Sequence, residues 1–223
     1  DHGRGVIELI DSLLADDLAE SERSVTRHGL LLGRRTNGED VTLPFGRQNL
    51  LVAGTSGSGK STLATGLLER LGEQGYQLCV IDPEGDYDNV PQAVILGTAQ
   101  NGPSLTEVLT ALANPQTHVV VNLVGLPLHD RPAFFLGLLH KILELRSASG
   151  RPHWILIDET HHLLPRDGHP SAPGLAQDST GMIYVTVHPD RIDPSLLKTV
   201  DLVFALGQSP AQTIEAFCRA RGQ

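Results

Sequence analysis

No run of 18 uninterrupted apolar residues occurs in this sequence, so a membrane-spanning helix is not expected. Glycine (23) and proline (14) are plentiful but aperiodic, which excludes a collagen-like array. There is no internal repeat and no low-complexity tract. Only two cysteines are present, Cys79 and Cys218. Their spacing builds no metal knuckle, and two isolated thiols fit a reducing cytosol, so a cytoplasmic location is expected. No signal-peptide pattern opens the chain; it starts at Asp1 and its single methionine is Met182, so it reads as a piece of a longer protein. What is there is 223 residues, 40% apolar and 19% charged, the composition of a globular protein with one main core.

The net charge of −9 is unevenly spread. Residues 1–22 hold seven acids and one base, and residues 48–223 hold 17 acids and 11 bases. Only residues 23–47 lean basic, through Arg23, Arg27, Arg34, Arg35 and Arg47. A nucleic-acid binder shows a basic footprint, whereas this short stretch reads as a solvated linker face.

Three segments follow from the patterning. Residues 1–22 read as a helix, the tail of an upstream domain, with Val6, Ile10, Leu13, Leu14 and Leu18 on one stripe. Residues 23–48 read as a linker and a β-hairpin, because Leu30–Leu32 and Val41–Leu43 flank the turn pair Asn37-Gly38. Residues 49–223 alternate short apolar strands with helices, which predicts an α/β domain with a mainly parallel central sheet and helices on both faces. Strands are expected at Leu50–Ala53, Leu78–Ile81, Ala93–Leu96, Val119–Val124, Ile155–Ile157, Ile183–Val187 and Leu202–Leu206. Helices are expected over 60–74, from the capping box Ser104-x-x-Glu107 to about Ala113, and over 130–148 with Phe134, Leu138, Leu139, Ile142 and Leu145 inward. Asp193-Pro194 and Ser209-Pro210 are helix starts, the second with Gln212 at the capping-box position. Pro165–Gly174 is too rich in proline and glycine to be a buried element.

Gly54-Thr55-Ser56-Gly57-Ser58-Gly59-Lys60-Ser61 matches G-x-x-x-x-G-K-[ST] at every fixed position. It lies after an apolar strand and before a helix. There glycines let successive N–H groups converge on phosphate oxygens, and the helix N-terminus adds positive potential. Lys60 is expected to reach the β- and γ-phosphates of ATP, and Ser61 to ligate Mg²⁺, with Thr62 next on the helix. A second apolar strand ends in Asp158-Glu159. Asp158 would hold Mg²⁺ and Glu159 would orient and deprotonate a water for attack on the γ-phosphorus. The run Asp82-Pro83-Glu84-Gly85-Asp86 leaves a third strand end and offers accessory carboxylates, Asp82 and Glu84 among them; a solvated turn with an Asp cap explains it equally. Asp158, Glu159, His161 and His162 do not have the H-E-x-x-H spacing. Two adjacent histidines cannot both face one ion from a regular helix, so polar contacts near the nucleotide are expected instead.

Three runs in this order, GTSGSGKST, VIDPEGDY and WILIDETHHLLP, resemble the HerA/FtsK superfamily of P-loop ATPases, closest to the HerA-type branch. The resemblance spans about residues 28–220, including a Gly-x-x-x-x-Gly lead-in from Gly33 to Gly38. Thr160 stands where the branch has alanine in its Asp-Glu-Ala-His signature. The family implies a RecA-like sheet, ATP hydrolysis through Lys60, Ser61, Asp158 and Glu159, and ring assembly, often a hexamer that moves DNA. At the sensor strand Val187 and His188 replace the family's Gln and Arg, leaving Thr186 or His188 to supply that contact. Arg166, Arg191, Arg219 and Arg221 are all open as a trans arginine finger. The opening DHGRGVIELIDSLLADDL is similar to the end of a Cof-type haloacid-dehalogenase phosphatase, which suggests a fused phosphatase upstream.

The expected function is Mg²⁺-dependent ATP hydrolysis driving conformational work, with DNA translocation as one output. The −9 charge and only three lysines weigh against a strong, salt-dependent grip on DNA. A P-loop small-molecule kinase, or an ATP-sensing regulatory module of a fused phosphatase, are the alternatives. Glu159 favours hydrolysis over transfer, because a kinase need not activate water.

Overall fold

A computed structural model describes residues 29–44, 48–167 and 180–222. The expected helix over 1–22, the arginines at 23, 27 and 47, and the Pro/Gly-rich loop from residue 168 lie outside the described residues. Contacts divide the chain into two units, Asp1–Gly46 and Arg47–Gln223.

In the first unit, β1 (Gly29–Arg34) and β2 (Asp40–Pro44) form the antiparallel hairpin that Asn37-Gly38 predicts. Gly38 takes φ +87°, open to glycine without strain, and its N–H donates to Arg35 O at 2.9 Å to close the turn. Leu30 faces Leu43 in register and both are buried.

In the second unit seven strands lie parallel in the order β5-β6-β4-β7-β8-β3-β9. They are β3 (Leu50–Gly54), β4 (Leu78–Asp82), β5 (Ala93–Leu96), β6 (His118–Asn122), β7 (Trp154–Ile157), β8 (Met182–Thr186) and β9 (Leu202–Leu206). Central strands such as β3 and β4 are buried at every position, the pattern of a sheet covered on both faces. Leu51, Ala53, Cys79, Ile81, Ile155, Ile157 and Tyr184 form one core with α2 (Leu105–Leu112), α3 (Arg131–Ser149), α5 (Pro194–Leu197) and α6 (Pro210–Arg221). The alternate residues Leu50, Val52, Val80 and Val185 are equally buried and point to the opposite face, where α1 (Lys60–Glu73) brings Ala64, Leu67, Leu68 and Leu71.

Two local expectations change. In α3 the deeply buried phenylalanine is Phe135, with Leu138, Leu139 and Ile142, while Phe134 and Leu145 are only partly buried beside them. Both stripes satisfy a helical period, and contact with the sheet selects between them. At the start of α6, Ser209 makes no side-chain cap. Gln212 N–H is taken by the Ser209 carbonyl at 3.1 Å instead, so no capping box forms. The box at Ser104 and Glu107 forms in both directions, and Asp193 caps α5 by accepting from Ser195 N–H.

At the N-terminal edge of the sheet, buried Asn49 ties three strands together. Its Oδ1 accepts Met182 N–H at 3.1 Å, its Nδ2 donates to Thr199 O at 3.2 Å, and its own N–H donates to Asp201 Oδ2 at 2.7 Å. Asn49→Ala strands a buried donor and a carbonyl, so unfolding stability should drop by about 2–4 kcal/mol, read as a lower urea midpoint with unchanged slope. A loss under about 0.5 kcal/mol would show that water replaces these bonds.

Candidate functional site

Because all seven strands are parallel, their C-terminal ends share one edge, and both sequence motifs lie on it. The loop after β3 and the acids after β7 are separated by one strand, β8, or about 10 Å across the sheet. The phosphate loop is shaped by two left-handed glycines, Gly57 (φ +71°) and Gly59 (φ +91°), the second of which caps α1. Residues of this kind turn consecutive N–H groups into a concave nest. Gly54 is required by packing: a Cβ there would lie 2.5 Å from Leu206 O on β9. Thr55, Ser56, Ser61 and Thr62 are exposed, whereas the Ser58 hydroxyl is buried and makes no hydrogen bond among the described residues. Lys60 is buried, and its Nζ curls back to donate to Thr55 O at 3.0 Å. An ammonium has three N–H donors, so two more can serve a ligand.

Asp158 is almost fully buried at the end of β7, where its N–H donates to Ile81 O and its Oδ1 accepts Glu159 N–H at 2.8 Å. Burial, together with the nearby charges of Glu159, Asp82 and Glu84, pushes its pKa up to about 7. Glu159 sits in the left-handed region (φ +42°), which no glycine eases. Burial, Glu84 and Asp86 raise its pKa, while the Lys60 charge opposes them. Lys60 and Glu159 are therefore electrostatic neighbours across the edge.

Asp82 has a different place from that expected of an accessory carboxylate. Its Oδ1 accepts the N–H groups of Glu84, Gly85 and Asp86, and its Oδ2 accepts that of Tyr87. With four backbone donors on a buried carboxylate, Asp82 shapes the loop, and exposed Glu84 and Asp86 are the acids left free to face a ligand. Buried Tyr87 lies under this loop, its phenol held neutral by burial and by Asp158, Asp82 and Asp86.

The histidines converge. Buried His161 Nδ1 lies 3.1 Å from Thr186 Oγ1, at the end of β8, and 3.1 Å from Glu159 Oε2. Thr186 Oγ1 also accepts His188 N–H at 3.0 Å. The ring of His161 meets His162 at 4.0 Å between centroids and His188 at 5.2 Å. Burial, with His162, His188 and Arg191 beside it, pushes the His161 pKa down to about 4, so its imidazole is neutral at pH 7. The expectation that adjacent histidines cannot address one point needs correction. The helix they occupy, α4 (Thr160–Leu163), is only four residues long and begins from left-handed Glu159, so side-chain directions do not follow a regular helix. One donor atom each from Glu159, His161 and His162 falls within 4.8 Å of the others.

Arg131 carries no motif and is missed by sequence reading. Its guanidinium donates to Pro83 O (3.0 Å), Val124 O (3.2 Å) and Leu126 O (3.0 Å), locking the Asp82–Tyr87 loop to the segment after β6. Nothing in the spacing of the sequence signals such a long-range carbonyl bridge. The arginines open as fingers lie apart: Arg166 and Arg191 flank the Pro165–Ile192 bridge, and Arg219 and Arg221 are on α6. Among the described residues no helix is long and apolar enough to cross a membrane.

Comparison with known proteins points the same way. The AAA domain family matches residues 42–182. No curated protein matches the sequence. Among solved structures, the genome packaging NTPase B204 from Sulfolobus turreted icosahedral virus 2, in complex with AMPPCP, is 18% identical with a TM-score of 0.55, over 78% of this chain and 83% of that one. VirB4 of Thermoanaerobacter pseudethanolicus is 14% identical with a TM-score of 0.59, over 87% and 88%. B204, the DNA-packaging ATPase from Sulfolobus turreted icosahedral virus, is 16% identical with a TM-score of 0.52, over 79% and 87%. At these identities the likeness is one of fold. The stretch read as a phosphatase tail lies outside both the matched and the described residues.

Proposed function

The chain belongs to the AAA domain family and has the P-loop NTPase fold, and from that premise we propose that it binds ATP with Mg²⁺ and hydrolyses it to drive conformational work. The arrangement that supports hydrolysis most directly is the shared sheet edge, where the phosphate loop after β3 and Glu159 after β7 stand one strand apart and the Lys60 charge acts on Glu159. In this reading the N–H groups from Gly54 to Thr62 and the Lys60 ammonium hold the β- and γ-phosphates. Glu159 orients a water and takes its proton, with His161, itself bonded to Thr186, lying beside its carboxylate. His188 is anchored by the same Thr186 hydroxyl and is the second polar group at the sensor position.

The residues fit a divalent ion. Asp158 is a buried carboxyl crowded by Glu159, Asp82 and Glu84, and among the described residues it has no ion pair. Such a group is stabilised in its charged form by a cation. Ser61 and Asp158 are the residues that would hold Mg²⁺, whose charge, when bound, would offset the phosphate oxygens. A pKa of about 7 means that Asp158 is protonated below neutrality. The proton and the ion compete, so the Mg²⁺ concentration giving half-maximal turnover should fall by about tenfold as pH rises from 6 to 8, and level off above. A flat dependence in phosphate-release assays would move the ion off Asp158.

A homo-oligomeric ring, a hexamer by the family resemblance, is the assembly we propose, and DNA is the cargo suggested by the packaging neighbours. The purified chain should release phosphate from Mg-ATP without any added acceptor. Absence of release, or release that needs a small-molecule hydroxyl acceptor, would favour a kinase. Turnover with and without duplex DNA at two salt concentrations tests the cargo: stimulation that fades with salt supports DNA, and a flat response removes it.

A further inference from the structure

We propose that Glu159, His161 and His162 form a second cation site, distinct from the Ser61–Asp158 pair, that takes a borderline transition ion of the Zn²⁺ class and switches hydrolysis off. Only the inhibitory part rests on the ATPase reading above. Donor atoms of the three residues lie within 4.8 Å of one another. Tetrahedral zinc needs donors about 3.3 Å apart, so modest side-chain rotation completes the set. The Glu159 Oε2 atom is buried and accepts no hydrogen bond among the described residues. It comes within 3.1 Å of His161 Nδ1, but that nitrogen points along its hydrogen bond to Thr186 Oγ1. A buried carboxylate oxygen without a donor is costly and has a lone pair to give.

Burial falls off along the triad: His161 is buried, Glu159 is part-buried and His162 is exposed. An ion can therefore enter past His162, with water as its remaining ligand. Two imidazoles and one carboxylate select a nitrogen-accepting ion over Mg²⁺, which prefers oxygen ligands. Coordination occupies the lone pair with which Glu159 would accept a proton from the attacking water. The effect is therefore on turnover and not on nucleotide affinity.

Co²⁺ is the probe, because its visible absorption reports nitrogen and oxygen coordination directly. Titrated into the full chain in excess Mg²⁺, Co²⁺ should show a saturable component that Zn²⁺ displaces. His162→Ala, at an exposed position, should weaken that component at least tenfold. In phosphate-release assays Zn²⁺ should suppress the wild-type chain and spare His162→Ala, each measured against its own rate without added Zn²⁺. No Co²⁺ component in the wild type, or the same affinity in His162→Ala, overturns the site. Equal Zn²⁺ inhibition of both chains, or Zn²⁺ binding with no effect on turnover, overturns the inhibitory role. The titration requires no hydrolysis, so a chain that binds Co²⁺ through His162 but releases no phosphate supports the site and defeats the ATPase reading.

Discussion

Glu159→Gln should leave ATP binding within a few-fold of the wild type and slow phosphate release by about a hundredfold or more, the usual contribution of a positioned general base. The amide keeps the size and can still lie beside His161, so the shape of the edge is retained. What disappears is the carboxylate that accepts the proton of the attacking water. Its pKa, raised by burial and by Glu84 and Asp86 against the opposing Lys60 charge, makes it a stronger base than a solvated glutamate. Single-turnover phosphate release alongside nucleotide binding separates the two effects. Wild-type turnover in this variant would hand the role to Glu84 or Asp86. It could not hand it to Asp82, whose oxygens are taken by the N–H groups of the loop it organises.

Lys60→Ala should abolish ATP binding or weaken it beyond easy measurement. The loop nest and the start of α1 supply dipoles, but Lys60 is the full positive charge buried within that loop. Its one bond among the described residues, to Thr55 O, is easily exchanged for phosphate oxygens. The variant should still fold, since the strand pairing of β3 to β8 and β9 does not involve the side chain. Binding measured by calorimetry decides the matter, with the melting curve of the nucleotide-free protein as the control. Unchanged affinity would remove the cradle from the Gly54–Thr62 loop.

Features that depend on neighbours in the chain were legible before any coordinates. The phosphate loop is a strand, a glycine-rich turn and a helix start within a dozen residues, and each part is a local preference. The same holds for the Asn37-Gly38 hairpin, the Ser104–Glu107 box and the strand ending in Asp158-Glu159. The sequence is ambiguous where two local solutions are equally good. Phe134 and Phe135 both continue a helical stripe, and only contact with the sheet decides which is buried. Ser209 has the right residue type for a cap, but its carbonyl satisfies the same donor.

The amino-acid order thus settled which residue types could handle a triphosphate and at which strand ends they stand, because strand, turn and helix preferences act over a few residues. Folding decided everything that depends on who lies beside whom. It placed β8 between β3 and β7, spent the Asp82 carboxylate on four backbone donors, and bridged Pro83, Val124 and Leu126 with Arg131. It also started α4 from a left-handed Glu159, so that two histidines side by side in sequence share a neighbourhood with that carboxylate. Those arrangements follow from satisfying buried polar groups and filling a common core, and both are sums over the whole chain.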